Sequence, residues 1–115
     1  MSRKHIAQKF NVIESGDLSG SLTSVITDCE QMDRISYTGV WSGTGVGGEI
    51  KVFKSDDKVN WSQIPMSDTL LLSGTSGDFF LECTEVNFKY VKLTYTFSAG
   101  TGSLTVSYHA NTVGA

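Results

Sequence analysis

Within the twelve residues FKSDDKVNWSQI, Phe53 to Ile64, stand two adjacent carboxylates, two lysines, an asparagine and one of the chain's two tryptophans. Asp56, Asp57 and Asn60 offer oxygen donors of the kind that Ca²⁺ takes, about six to eight at a time. Lys58 interrupts them where a further ligand would help, and no bidentate Glu follows, so the spacing is not that of an EF-hand loop. The same side chains have a second use: Asp and Asn bond to nearby backbone N–H groups and shape a bend. That turn role is the expected one here. Trp61 could stack on a ligand or plug a core. Polar Asn60 and Ser62 flank it and Ile64 repeats its parity, so a core position is expected, with a truncation cost on the order of several kcal/mol. Trp41, beside SGTGVGG, is expected nearer the surface, where it and Tyr37 become candidates for partner contact.

Other constellations are weaker. His5 and His109 belong to no H-E-x-x-H or comparable ligand spacing. Cys29 and Cys83 each adjoin apolar positions, as small core residues do, and reduced thiols are expected for both. No G-x-S-x-G elbow occurs among the serines. SGTGVGG lacks the Gly-Lys-Ser/Thr ending of a phosphate loop and leads to a strand rather than a helix. The expectation is a protein without catalytic residues, cofactor or metal. Arg3, Lys4, His5 and Lys9 form a basic cluster that could touch an acidic partner, but it falls short of the basic stripe that nucleic-acid binding needs.

The elements that carry these residues are strands. The 115 residues suit one domain with one core. Hydrophobic residues make up 39% and charged residues only 18%, with a net charge of −3. Uncharged polarity dominates instead: 12 Gly, 15 Ser and 12 Thr against four Ala, a mixture for short strands and Gly-rich turns. In YVKLTYTFS, Val91, Leu93, Tyr95 and Phe97 alternate with Lys92, Thr94, Thr96 and Ser98; in SLTVSYH, Leu104, Val106 and Tyr108 alternate likewise. Gly100 and Gly102 between them permit the positive φ angles of a tight hairpin. SYTGVWSGTGVGGEIKV and KLTYTFSAGTGSLTV read as two versions of one strand–turn–strand unit. Further strands are predicted over 6–13, 18–27, 61–64, 69–73 and 78–83. DCEQMDR, 28–34, suggests one helical turn capped by Asp28. The sum is an all-β chain, an antiparallel jelly-roll-like β-sandwich of eight or nine short strands. Residues 1–9 are expected to form an N-terminal arm and 110–115 a tail. Behind Met1 no apolar run suggests a signal peptide, and no segment approaches a membrane span.

Lys54 to Ile64 resembles a recurring pattern, S-x-D-G-x-N-W, of discoidin-like carbohydrate-binding sandwiches and many small tailed-phage structural proteins. Ser55, Asp57, Asn60 and Trp61 match it; Lys58 takes the Gly position, which at positive φ carries strain of about 1 kcal/mol. VNFKYVKLTYTFSAGTGSLTVSYHA resembles the phage-type ending of such proteins through Val86, Tyr90, Val91, Leu93, Tyr95, Gly100, Gly102, Leu104 and Val106. Together these motifs span about two-thirds of the chain, roughly residues 34–109.

This resemblance implies a non-enzymatic virion component of a bacteriophage, made in the host cytoplasm and assembled in many copies. Such a head decoration, tail or accessory protein would bind neighbouring capsid or tail subunits and form a homo-oligomer, a trimer by analogy. Surfaces of Ser, Thr and Gly pack together with little charge to desolvate, and a near-neutral chain crowds without strong repulsion. The other reading is a sugar- or receptor-binding module, with Trp41, Tyr37 and the Asp56/Asp57 loop at its site.

Overall fold

The computed structural model describes residues 7–30, 32–64 and 70–112. Seven antiparallel strands form one sheet: β1 (Ala7–Asp17), β2 (Leu22–Thr23), β3 (Thr27–Asp28), β4 (Arg34–Ser55), β5 (Ser62–Gln63), β6 (Leu70–Cys83) and β7 (Tyr90–Asn111). The all-β, antiparallel, sandwich-like architecture is the one expected. The strand count is lower because neighbouring segments merge.

The merging corrects the hairpin reading. YVKLTYTFS and SLTVSYH do not fold back on each other. They continue through SAGTG as the single strand β7, and RISYTGVWSGTGVGGEIKVFKS is likewise the single strand β4. The two strands pair with each other from Arg34↔Asn111 to Ser55↔Tyr90, which sets the Gly-rich middles side by side, Gly43↔Gly102 and Thr44↔Thr101. The two similar sequences are therefore partners, not repeats of a hairpin. Gly100 does take the expected left-handed conformation, φ 89°. It serves a register shift there, and a Cβ on it would run into the Gly45 and Thr44 carbonyls. Twenty-two extended residues would reach about 70 Å, yet the longest dimension of the molecule is 54 Å. Both strands must therefore bend, and the bulged glycines are where register slips.

Bending divides the sheet into two halves. In one, β1, the 103–111 part of β7, the 34–43 part of β4 and the 76–83 part of β6 lie in order. In the other, β2 and β3 flank the 90–97 part of β7, followed by the 46–55 part of β4, then β5 and the start of β6. One hydrophobic cluster runs through both: Ile35, Tyr37, Leu104 and Tyr108 in the first, Val52, Val91, Leu93 and Tyr95 in the second. The buried sets obey period two in each half of β7, except that Phe97, expected to face inward with Val91, Leu93 and Tyr95, is 39% exposed, beside the glycines where the phase changes.

Smaller expectations resolve locally. The predicted strand over 18–27 forms only the two short ladders β2 and β3, and 69–73 and 78–83 join into β6 (Thr69 lies outside the described residues). Asp28 accepts a bond from the Glu30 N–H at 3.0 Å and Met32 N–H reaches the Cys29 carbonyl at 3.1 Å, a single turn rather than a helix. The supposed arm and tail are partly sheet: Ala7 pairs with Asn111, Gln8 with Ala110 and Lys9 with His109. Arg3, Lys4 and His5 lie outside the described residues.

Candidate functional site

The loop that leaves β4 is built around one carboxylate. Asp57 Oδ1 accepts from the Ser55 hydroxyl at 3.0 Å and from the Val59 and Asn60 N–H groups at 2.8 Å each. Its Oδ2 accepts from Asn60 Nδ2 at 2.8 Å. The buried Ser55 Oγ in turn receives the Asp57 and Lys58 N–H groups. These donors, the backbone N–H of Asn60 first, hold Asp57 below the usual carboxylate range. Its neighbour Asp56 accepts the Lys89 N–H at 3.2 Å, tying the loop to the chain just before β7. Both acids thus organise backbone, as turn chemistry predicted, and the two Asp57 oxygens are shared among four donors. Lys58 sits at φ 66°, the left-handed position that the resemblance assigns to Gly.

Trp61 departs from its expected place. It is half-buried rather than in the core. Its Nε1–H bonds the Lys58 carbonyl at 3.2 Å, and the Lys92 ammonium lies 4.2 Å above its ring. Lys58 lies 4.7 Å over Tyr90, and Lys54 5.7 Å over Phe88, so three lysines cover aromatic faces around this end of the sheet. Parity failed because β5 is only two residues long. Ile64 is buried and bonds Val52 as a strand residue would, but Trp61 still belongs to the turn. Between this loop and Asn87 runs a groove of about 170 Å³ lined by Lys54, Asp56, Asn60, Ser62 and Phe88. Its two charged groups already engage Phe88 and the Lys89 N–H.

Trp41 and Tyr37 are also corrected. Trp41 is only 5% exposed and Tyr37 1%. Trp41 pairs across the strands with Gly77 and Leu104. The missing side chain of Gly77 makes room for the indole: a Cβ there would stand 2.9 Å from Trp41 Cζ2. Tyr37 continues an aromatic row with Tyr108 at 5.7 Å, and Tyr108 meets Phe10 at 5.1 Å. The platform assigned to a sugar ligand is therefore inside the sheet. The parity of Ile35, Tyr37 and Trp41 carried this signal; proximity to the glycines obscured it. Tyr95 is core, with its hydroxyl donating to the Gly47 carbonyl at 3.0 Å and its ring filling the space above Gly48.

The remaining chemistry-bearing residues are dispersed. Cys29 and Cys83 are free thiols. Burial pushes Cys29 up to about 12, and its S–H points to the Phe88 carbonyl. His109 is exposed on β7 beside Lys9. Among the described residues, no three of His, Cys, Asp or Glu gather as metal ligands would.

What sequence reasoning missed is the outward face of the sheet. Thr38, Val40 and Ser42 of β4 lie between Thr105 and Ser107 of β7 and Asp78 and Phe80 of β6. Val40 is 61%, Phe80 62% and Leu71 64% exposed, large apolar groups on a face that also carries hydroxyls and the Asp78 carboxylate. The signal was present: the buried parity of Tyr37 and Trp41 sends Val40 outward, and of two adjacent phenylalanines in a strand one must face out.

No known protein family matches the sequence, and no curated protein does. The fold, however, is similar to that of solved proteins. The SPBc2 prophage-derived protein YomS superposes with a TM-score of 0.63 over 97% of this chain and 98% of that one, at 12% identity. A chain of the infectious bursal disease virus Gx strain gives 0.61 at 12% identity, over 96% of this chain and 33% of that one. The PBSX exported protein XepA gives 0.53 at 15% identity, over 96% and 38%. This protein thus spans about a third of the viral chain and nearly the whole of YomS. At these identities the likeness is one of fold.

Proposed function

We propose that this chain is a non-enzymatic structural component of a bacteriophage virion, a head decoration, accessory or tail-associated protein that packs against neighbouring capsid or tail subunits. The observation that carries the reading is the end-to-end match to a prophage-derived protein of the same length, seconded by the match to part of a virus chain. The surface suits the role. A sheet with two 22-residue strands presents a face on which exposed Val40 and Phe80 stand among hydroxyls, apolar area that another subunit can cover. Its work is to hold position, with homo-oligomeric contacts adding to those with other virion proteins. Quantitative mass spectrometry of purified particles tests this. A copy number in fixed ratio to the major capsid or tail protein is expected. A protein absent from washed particles, or one that binds a glycan array as a free monomer, overturns the reading.

A further inference from the structure

The edge strand β6 carries a second message in its sequence. Among the described residues it pairs only with β4, so one side of a 14-residue strand is open. Edges of this length are ordinarily blunted by Pro or Lys, and β6 has neither. Its residues 70–81 read LLLSGT-SGDFFL. Reversed, the second half is LFFDGS, which matches the first half position by position in chemistry: apolar, apolar, apolar, small polar, Gly, hydroxyl.

We infer that β6 is a self-pairing edge, joining two copies of this chain antiparallel about a two-fold axis between Thr75 and Ser76. That register sets Leu70 opposite Leu81 of the second copy, Leu71 opposite Phe80, Leu72 opposite Phe79, Ser73 opposite Asp78, Gly74 opposite Gly77 and Thr75 opposite Ser76. Each pair occurs twice, as an isologous interface requires. Leu71 and Phe80, 64% and 62% exposed, both lie on the outward face, while Leu72 and Phe79 are buried on the inner one. Pairing would therefore cover the two large apolar side chains that the single chain leaves in water and extend the inner apolar layer across the junction.

Charge selects the orientation. In the antiparallel register Asp78 meets a serine hydroxyl, whereas parallel pairing in register would stack Asp78 on Asp78 and Glu82 on Glu82 of a chain that is already net negative. The bend agrees as well. The phase change of β6 falls between Gly74 and Gly77, at the proposed axis, so both copies would bend together. Twelve paired residues run about 40 Å, and a strip of that length buries on the order of 1,000 Å² in total, the lower bound for a specific contact. The pairing does not depend on a role in the virion.

Sedimentation equilibrium on the full chain, from low to high micromolar concentration, tests it with Leu71→Lys and Phe80→Glu. Both sites are exposed, so thermal melts at concentrations too low for dimerisation should match wild type. Wild type should dimerise, and each variant should lose about tenfold in association, since each change spoils two cross-strand pairs. Mixing the two variants should restore a heterodimer, because one junction then carries Leu71 against Phe80 and the other an ammonium against a carboxylate. Val59→Lys, exposed on the distant loop, should leave the wild-type dimer unchanged. A monomeric wild type, a dimer indifferent to both edge changes, or a mixture that does not recover overturns the proposal.

Discussion

The two tryptophans exchange the places that sequence assigns them, and truncating each measures the exchange. Trp41→Ala removes an indole that is 5% exposed and seated against Gly77. Gly77 has no side chain to move into the hole, so the cavity persists and the loss falls in the range of about 3–5 kcal/mol for large aromatic deletions. Trp61→Ala removes a half-buried ring, one hydrogen bond to Lys58 and the cover of the Lys92 ammonium. Those contributions sum to about 1–2 kcal/mol. A domain of this size has a urea m-value of about 1.5 kcal/mol per M. The unfolding midpoint should therefore fall by about 2–3 M for Trp41→Ala and about 1 M for Trp61→Ala. Equilibrium urea titrations followed by far-UV circular dichroism read both without relying on either indole. If Trp61→Ala lowers the midpoint as much as Trp41→Ala, the assignment of core and rim made above is wrong.

Three further outcomes are expected. The hydroxyls of Tyr37 and Tyr108 are buried without a hydrogen-bond partner among the described residues, so Tyr37→Phe or Tyr108→Phe should leave stability unchanged or raise it by up to about 1 kcal/mol; a thermal melt showing a clear loss would mean that a bound water or partner group satisfies them. Asp57 titrates below its ordinary value of 3.8, so its contribution to stability is complete above that pH and is lost as pH falls through the lower folded value. Acid unfolding of Asp57→Ala should accordingly start from a less stable protein at neutral pH and show a shallower pH dependence below pH 3.8; parallel curves for variant and wild type would contradict this. Lys58, at φ 66°, should be improved by glycine: Lys58→Gly should exceed Lys58→Ala in stability by about 1 kcal/mol, since both lose the contact with Tyr90 and only one relieves the backbone. Equal melting temperatures for the two variants would refute that account.

Much of the fold was legible because alternation is a local property. The inward sets Val91, Leu93, Tyr95, Phe97 and Leu104, Val106, Tyr108 follow from period two alone, and all but Phe97, next to the bend, are buried. The Asp57 turn was legible for the same reason: its donors lie within three residues of it. The left-handed Lys58 was visible through the resemblance, at the position where glycine is usual. Parity stopped working where strands are two residues long, at Trp61, and was overruled by loop proximity at Trp41, where β4 simply continues.

By itself, then, the sequence determined most of the inward-facing residues of β7, the left-handed positions Lys58 and Gly100, and that the chain is built of strands rich in uncharged polar residues. Only the tertiary structure decided what each Gly-rich run does. A tight hairpin and a bulged continuous strand ask for the same residues, because both need φ values that side chains resist. The choice between them is made by the partner: β4 and β7 lie along each other for their full length, so hydrogen bonds that would close two local hairpins are made between the two strands instead. The same long-range pairing carries Trp41 into the core and exposes the edge of β6. Neither of these follows from neighbours in sequence, since each rests on contacts between residues dozens of positions apart.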